Sequence, residues 1–232
     1  MKIVVPDGFN TIPLHPKSVF FSVHNDEKPG LEKHAQALIE CGVTTVFASG
    51  GTAKYLAEHH IEVIDFNELI TGKPPIMSGP DGKGHRVATL GFESAGAILA
   101  RRNVPQHMED LREYCRGIAV APALFDIVAV SIYPFEQAVS ADEVDLLSAV
   151  ENIDIGGPTL LREAAKNFEW VVPIPGMKWI SNIIAILQNG EGIPLSVRAL
   201  MAARTFQLIS GYDFAIESFM LNYMNTAYSL EQ

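Results

Sequence analysis

The residues with the most chemical potential lie in four short runs. Ala48-Ser49-Gly50-Gly51-Thr52-Ala53 joins a β-branched stretch to a helix-forming one. A turn of this kind points backbone N–H groups outward at the positive end of a helix dipole. Its glycines let an anion come close, and Ser49 and Thr52 add hydroxyls. The same residues also make a tight turn with an N-cap, so phosphate binding and plain capping are equally compatible with them. Lys28 follows the first apolar stretch within His24-Asn25-Asp26-Glu27-Lys28-Pro29-Gly30. In a parallel sheet both loops share the carboxyl edge, where ligands bind, so Lys28 can meet the same anion; a solvated lysine is the commoner fate. Tyr133, in Ile132-Tyr133-Pro134-Phe135, ends another strand at that edge. The simpler expectation for it is a half-buried ring whose hydroxyl finds a backbone partner. Asp154 stands just before Gly156-Gly157-Pro158, where a carboxylate suits a helix start, and Lys166 stands near that helix's end, where a cation suits the dipole. Twelve residues separate the two, so the helix alone does not make them touch.

Elements that would position these groups follow from periodicity and punctuation. Residues 1–17 hold three prolines and read as an extended lead-in. Strands are expected at 18–23, 44–49, 61–65, 125–133 and 170–174, the fourth apolar enough to be central and closed by Pro134. Helices are expected at 30–42, 52–60, 93–102, 106–115, 142–150, 157–167 and 178–190, with one or two more over 194–224. The alternation predicts an α/β fold: a three-layer parallel sheet with crossover helices and a helical C-terminal layer. Residues 66–92, rich in Gly and Pro, read as a long loop.

Composition bounds the function. The 232 residues are 48% hydrophobic and 19% charged, an ordinary globular balance. A net charge of −10 argues against a nucleic-acid partner, which needs a positive face. Two cysteines without metal-like spacing point to a reduced, cytoplasmic setting. The start lacks a signal-peptide layout and no apolar run is long enough to cross a bilayer. The seven histidines form no HExxH or HxH pair, so a metal site has no support in the sequence. There is no Walker loop, nucleophile elbow or dinucleotide fingerprint.

Taken together, ASGGTA (48–53), GAILARR (96–102), IYPF (132–135), ENIDIGGPTLLREAAKN (151–167) and AARTFQLISGYDFAI (202–216) resemble the inosinate (IMP) cyclohydrolase domain of the bifunctional purine biosynthesis enzyme. The resemblance runs from about Ser18 to about Tyr223 and implies a methylglyoxal-synthase-like fold, with 18–232 as the domain and the formyltransferase module absent. It implies closure of a purine ring: the carboxamide nitrogen of a formylated aminoimidazole ribonucleotide attacks the formyl carbon and water leaves, with no cofactor. It implies Ser22, Lys28, Ser49, Gly50, Gly51 and Thr52 around the phosphate, and Arg86, Thr89, Ile155 and Gly156 lining the substrate site. It further implies Asp154 as proton acceptor and donor, with Tyr133 and Lys166 orienting and polarising the reacting groups. It implies a homodimer, and a separate formyltransferase chain is a conceivable partner.

The sequence departs from that family's pattern. Where the family has R-V-K-T-L-H-P, this chain reads Arg86-Val87-Ala88-Thr89-Leu90-Gly91-Phe92; a second family histidine is Ala95, and an asparagine before the YPF run is Ser131. Extra residues precede the motif, roughly Pro80 to His85, and the loop after the first strand is two residues longer. Losing a lysine aimed at a developing oxyanion costs about a hundred- to a thousand-fold in rate. Either Lys83 or His85 substitutes for it, or the protein binds a purine-pathway nucleotide as a sensor, or it closes a different ring on a related substrate in a specialised pathway.

Overall fold

The computed structural model describes residues 3–67, 89–117, 123–133, 135–141 and 143–228. Five parallel strands form its centre: β1 (Ser18–Ser22), β2 (Thr45–Ala48), β3 (Ile64–Asp65), β4 (Ile127–Val130) and β5 (Val172–Pro175), in the spatial order β3-β2-β1-β4-β5. The chain builds outward from β1 to β2 and β3, then returns to β1's other edge for β4 and β5. This reversal leaves a crevice between the carboxyl ends of β1 and β4, the position at which open α/β sheets bind ligands.

Helices cover both faces, as the alternation of strand and helix patterns predicts. They are α1 (Leu31–Glu40), α2 (Gly50–Glu58), α3 (Phe92–Leu99), α4 (Pro105–Gly117), α5 (Phe135–Ala138), α6 (Leu146–Glu151), α7 (Gly156–Lys166), α8 (Ile180–Gln188) and α9 (Leu195–Tyr228). The period-2 geometry of the strands divides the core in two. Val19, Phe21, Val46, Ala48, Ile127 and Ala129 pack against α1, α2 and α8 through Leu31, Leu38, Leu56, Ile180 and Ile183. Phe20, Phe47, Val128 and Val130 face the other way, onto Phe66, Phe125, Ile98 of α3 and Leu160, Leu161 and Ala164 of α7. A cluster of phenylalanines fills this second layer, with Phe20 and Phe125 stacked at 4.9 Å between ring centres.

Several expected elements are trimmed. The strand expected at 125–133 pairs only over Ile127–Val130, because its register partners in β1 end at Ser22. The one expected at 61–65 shrinks to Ile64–Asp65, an edge pairing with Phe47 and Ala48 alone. The C-terminal stretch is a single helix of 34 residues, about 51 Å long. Its Arg198 is wholly buried and donates to the carbonyls of Asn10, Ile12, Phe168 and Ile193, fixing the N-terminal lead-in against the domain. Among the described residues no helix is long and apolar enough to cross a membrane.

Candidate functional site

Three loops converge on the crevice. The first leaves β1 through Val23 and His24, makes a 3₁₀ turn at Asn25–Glu27, and reaches Lys28. The Lys28 ammonium donates to Asn25 Oδ1 at 2.7 Å and to the Gly51 carbonyl at 3.0 Å, so it is held over the start of α2. Partial burial pulls its pKa down. Glu27 ties the loop to the far side of the crevice by accepting from Met177 N at 2.8 Å.

The second loop is Ser49-Gly50-Gly51. Ser49 is the N-cap of α2, yet its side chain makes no cap bond to the helix. Its hydroxyl instead donates to Ser22 Oγ at 3.1 Å and lies 3.4 Å from Thr52 Oγ1. Thr52 is buried and closes the network by accepting from Val23 N and donating to Val23 O. The first turn of α2 therefore keeps N–H groups that no side chain caps. Glycine at 51 leaves Lys28 room, since a Cβ there would stand 3.4 Å from Nζ. Asp65 and Asn67 approach Gly50 from the β3 side, each 3.5 Å from where a Cβ would be.

The third loop carries Asp154 to the start of α7. Its Oδ1 accepts from Gly157 N at 2.9 Å and its Oδ2 from Tyr133 N at 3.4 Å. Glycine at 157 is required, because a Cβ would fall 2.6 Å from Asp154 Oδ2 and 3.2 Å from Val130 Cγ1. Burial raises the Asp154 pKa; the N–H bonds from Gly157, Tyr133 and Gly156 and the nearby His24 pull the other way and offset only part of it. From behind, Tyr212 of α9 accepts from Asp154 N at 2.6 Å, and burial pushes the Tyr212 hydroxyl up to about 12. A cleft of about 290 Å³ lies on this rear side between α7 and α9, lined by Ile155, Pro158, Arg162, Ile209 and Tyr212.

The sequence-derived residues thus divide. Ser22, Lys28, Ser49, Gly50, Gly51 and Thr52 meet at the α2 start, as the shared sheet edge predicts. Asp154, Tyr133, Gly156 and Thr89 meet at the α7 start, where Thr89 Oγ1 lies 3.2 Å from a Cβ built on Gly156. Ile155 is largely exposed beside them. The Tyr133 ring is also 44% exposed and its hydroxyl has no backbone partner among the described residues, contrary to the simpler expectation. Lys166 is not brought to Asp154: it is exposed at the opposite end of α7, about 16 Å of helix away. Arg86, Lys83, His85, Ala88 and Pro134 lie outside the described residues. Among the described residues no cluster of metal-ligating side chains occurs.

Sequence reasoning missed His24, Ser131 and Tyr212 as parts of the site. His24 and Ser131 are the residues that follow β1 and β4 into the crevice, and position alone could have flagged them. Tyr212 comes from a helix packed behind α7, and no local signal marks it.

The five-stranded parallel sheet with helices on both faces is the fold of an MGS-like domain. The MGS-like domain model matches residues 30–159, more than half of the chain, and the chain belongs to that family. It is 38% identical over 216 residues to the bifunctional purine biosynthesis protein PurH of Brachyspira hyodysenteriae, covering 88% of this chain and 40% of that protein. With the PurH of Gloeothece citriformis it shares 40% identity over 195 residues, 83% of this chain and 35% of the relative. The chain therefore spans well under half the length of these relatives. A solved structure described as the crystal structure of ForH superposes with a TM-score of 0.67 at 27% identity, covering 86% of this chain and 94% of that one.

Proposed function

We propose that this protein is an IMP cyclohydrolase-type enzyme that closes a purine ring on a formylated aminoimidazole carboxamide ribonucleotide with loss of water. The observation that carries the reading is the juxtaposition, across one crevice, of an uncapped helix start under Lys28 and a half-buried, hydrogen-bonded Asp154. An anionic phosphate belongs at the first. Proton transfer belongs at the second, since a carboxyl whose pKa burial raises can both take and return a proton. The likeness to PurH proteins over most of the chain supports the pathway.

In this reading the α2 N–H groups, Ser22, Ser49, Thr52 and Lys28 hold the phosphate, with Arg86 and Thr89 lining the substrate. Asp154 takes the proton of the attacking carboxamide nitrogen, and Tyr133 orients the base beside it. Holding the two reacting groups together supplies much of the acceleration, and no cofactor is called for. Lys166 is assigned no contact with the reacting atoms of its own chain. The enzyme works in the cytoplasm as a homodimer, with a separate formyltransferase chain supplying its substrate.

The test is to incubate the protein with the formylated ribonucleotide and follow inosinate by chromatography, beside Asp154→Asn. Turnover that collapses in the variant is expected; folded protein that gives none overturns the reading. The presence of Ala88 and Gly91 where the resembled family carries lysine and histidine favours one second reading, closure of a different ring on a related ribonucleotide. Inertness of the native protein with gain of inosinate in Ala88→Lys would select it.

A further inference from the structure

Ring closure by dehydration needs two proton transfers of opposite sense. One group must accept a proton from nitrogen, and one must donate a proton to the departing hydroxyl. Asp154 serves the first. Among the described residues the imidazole of His24 stands at the same mouth of the crevice, and an imidazole has the chemistry to give a proton.

Its placement is fixed at three points. The backbone N of His24 donates to Ser131 Oγ at 2.6 Å, and Ser131 N donates to Ser22 O at 3.0 Å, so β1 and β4 stay zipped past their last paired residues. The His24 ring meets the Tyr133 ring edge-on, 4.5 Å between centres and 71° between planes. The His24 side chain is only 16% exposed, so the ring is held rather than free in solvent. Its Nδ1 faces its own loop: in the neutral imidazole it accepts from Asp26 N at 3.5 Å, and in the protonated form it donates instead to Asp26 Oδ2, also 3.5 Å away. That leaves Nε2 as the ring nitrogen with no partner among the described residues. Tyr133 N in turn donates to Asp154 Oδ2, so the ring that His24 touches belongs to the residue that anchors the carboxylate. The charge on His24 also reaches Asp154 and favours its ionised form. The groups around the imidazole are Asp26 on its own loop, Tyr133 after β4 and Asp154 before α7; Glu27 and Lys28 of the same loop point to Met177 and to α2.

We propose that His24, backed by Asp26, is the proton donor that acts opposite Asp154 on the departing hydroxyl, an assignment that rests on the cyclohydrolase reading above. In the addition step the carboxamide nitrogen's pair forms the new C–N bond and the formyl C=O pair moves to oxygen. The nitrogen's proton passes by way of Asp154 to that oxygen. In the elimination step protonated His24 gives its proton to the hydroxyl and the C–O bond breaks with its pair, releasing water. Asp154 takes the proton of the adjacent N–H, whose pair forms the ring C=N. Return of that proton to His24 through solvent restores both groups. Asp26 stabilises the charged imidazole, and Tyr133 keeps its plane across the crevice.

The experiment is kcat and KM against pH for the wild type, His24→Asn and His24→Gln, with thermal midpoints of all three. Asparagine keeps an acceptor at the start of the 3₁₀ turn, so the loop's cap survives, and glutamine serves as the longer second variant. Both variants should lose about a hundredfold or more in kcat, with KM changed less than about threefold. The alkaline limb of the kcat profile, which reports loss of the acid, should vanish. Variants that keep the wild-type rate and limb would overturn the assignment and leave the cyclohydrolase reading standing. A wild type inert toward the formylated nucleotide would overturn both.

Discussion

Helices α2 and α7 begin at the same edge of the sheet, on either side of β1, and are finished in opposite ways. At α2 the N-cap hydroxyl of Ser49 turns away to Ser22, two glycines follow, and the nearest cation is Lys28. At α7 the corresponding place is filled by the chain's own carboxylate, with Asp154 accepting from Gly157 N. The dipole favours an anion at both starts. At the first no side chain caps the helix, whereas the second carries its anion as part of the fold. Burial still raises the Asp154 pKa despite the dipole and three N–H donors, so desolvation wins there. In the proposed reading the α2 start, which directly follows β2, holds the substrate, and the α7 start, which follows α6, carries the proton transfer. The proposed phosphate site is therefore the α2 start, since Asp154 would repel an anion at the other.

The largest expected effect breaks the α7 side. Asp154→Asn keeps an acceptor for Gly157 N but cannot take a proton, and should cost about 10²–10⁴ in kcat, read by steady-state kinetics. Gly157→Ala tests the same side by geometry. Its methyl needs the space at 2.6 Å from Asp154 Oδ2, and displacing the carboxylate by about 1 Å should cost about a hundredfold in rate. Gly51→Ala at α2 is the sharp control, since its methyl meets only the mobile end of Lys28 at 3.4 Å; its effect should stay within a few-fold and fall on KM. Lys28→Met weakens the α2 side itself. Loss of one charged donor should raise KM about tenfold or more, steeply less so in high salt, with kcat nearly unchanged.

The smallest effect concerns the body of α7. Glu163 has a buried Oε2 with no hydrogen-bond partner among the described residues, and burial raises its pKa. The folded state therefore holds this proton more tightly than the unfolded chain does. Wild-type stability attributable to Glu163 is fully present below the ordinary glutamate value of about 4.3 and declines as pH rises through it toward the raised folded value. Glu163→Gln should match the wild type in acid and melt higher at neutral pH. Thermal midpoints from pH 3 to 8 check the sign, and a variant that melts lower at neutral pH would refute it.

What the sequence disclosed and what it hid follow the same division. The α2 start was legible because Ser49, Gly50, Gly51 and Thr52 are adjacent, and strand and helix patterns on either side place them at the sheet edge. Asp154 was legible for the same reason, before Gly156-Gly157-Pro158. Their partners were not, because His24 reaches Tyr133 only after β4 has been inserted beside β1, and Tyr212 reaches Asp154 only once α9 docks on α7. Lys166 shows the converse: close in a run of similar residues, it is carried a full helix length away. The sheet's extent was overread at 125–133 because apolar residues continue past the point where pairing stops. Arg198 gave no sign of burial, since a guanidinium within a helix normally reads as surface, and what explains it is the carbonyl of nearby Ile193 together with those of Asn10, Ile12 and Phe168 from distant segments.

The division between the two helix starts is tested most directly by calorimetric titration of inosine 5′-monophosphate into the wild type, Lys28→Met and Asp154→Asn at low salt. The expected result is binding weakened about tenfold or more by Lys28→Met and held within about threefold of the wild type by Asp154→Asn. Binding lost in Asp154→Asn and intact in Lys28→Met would contradict the division.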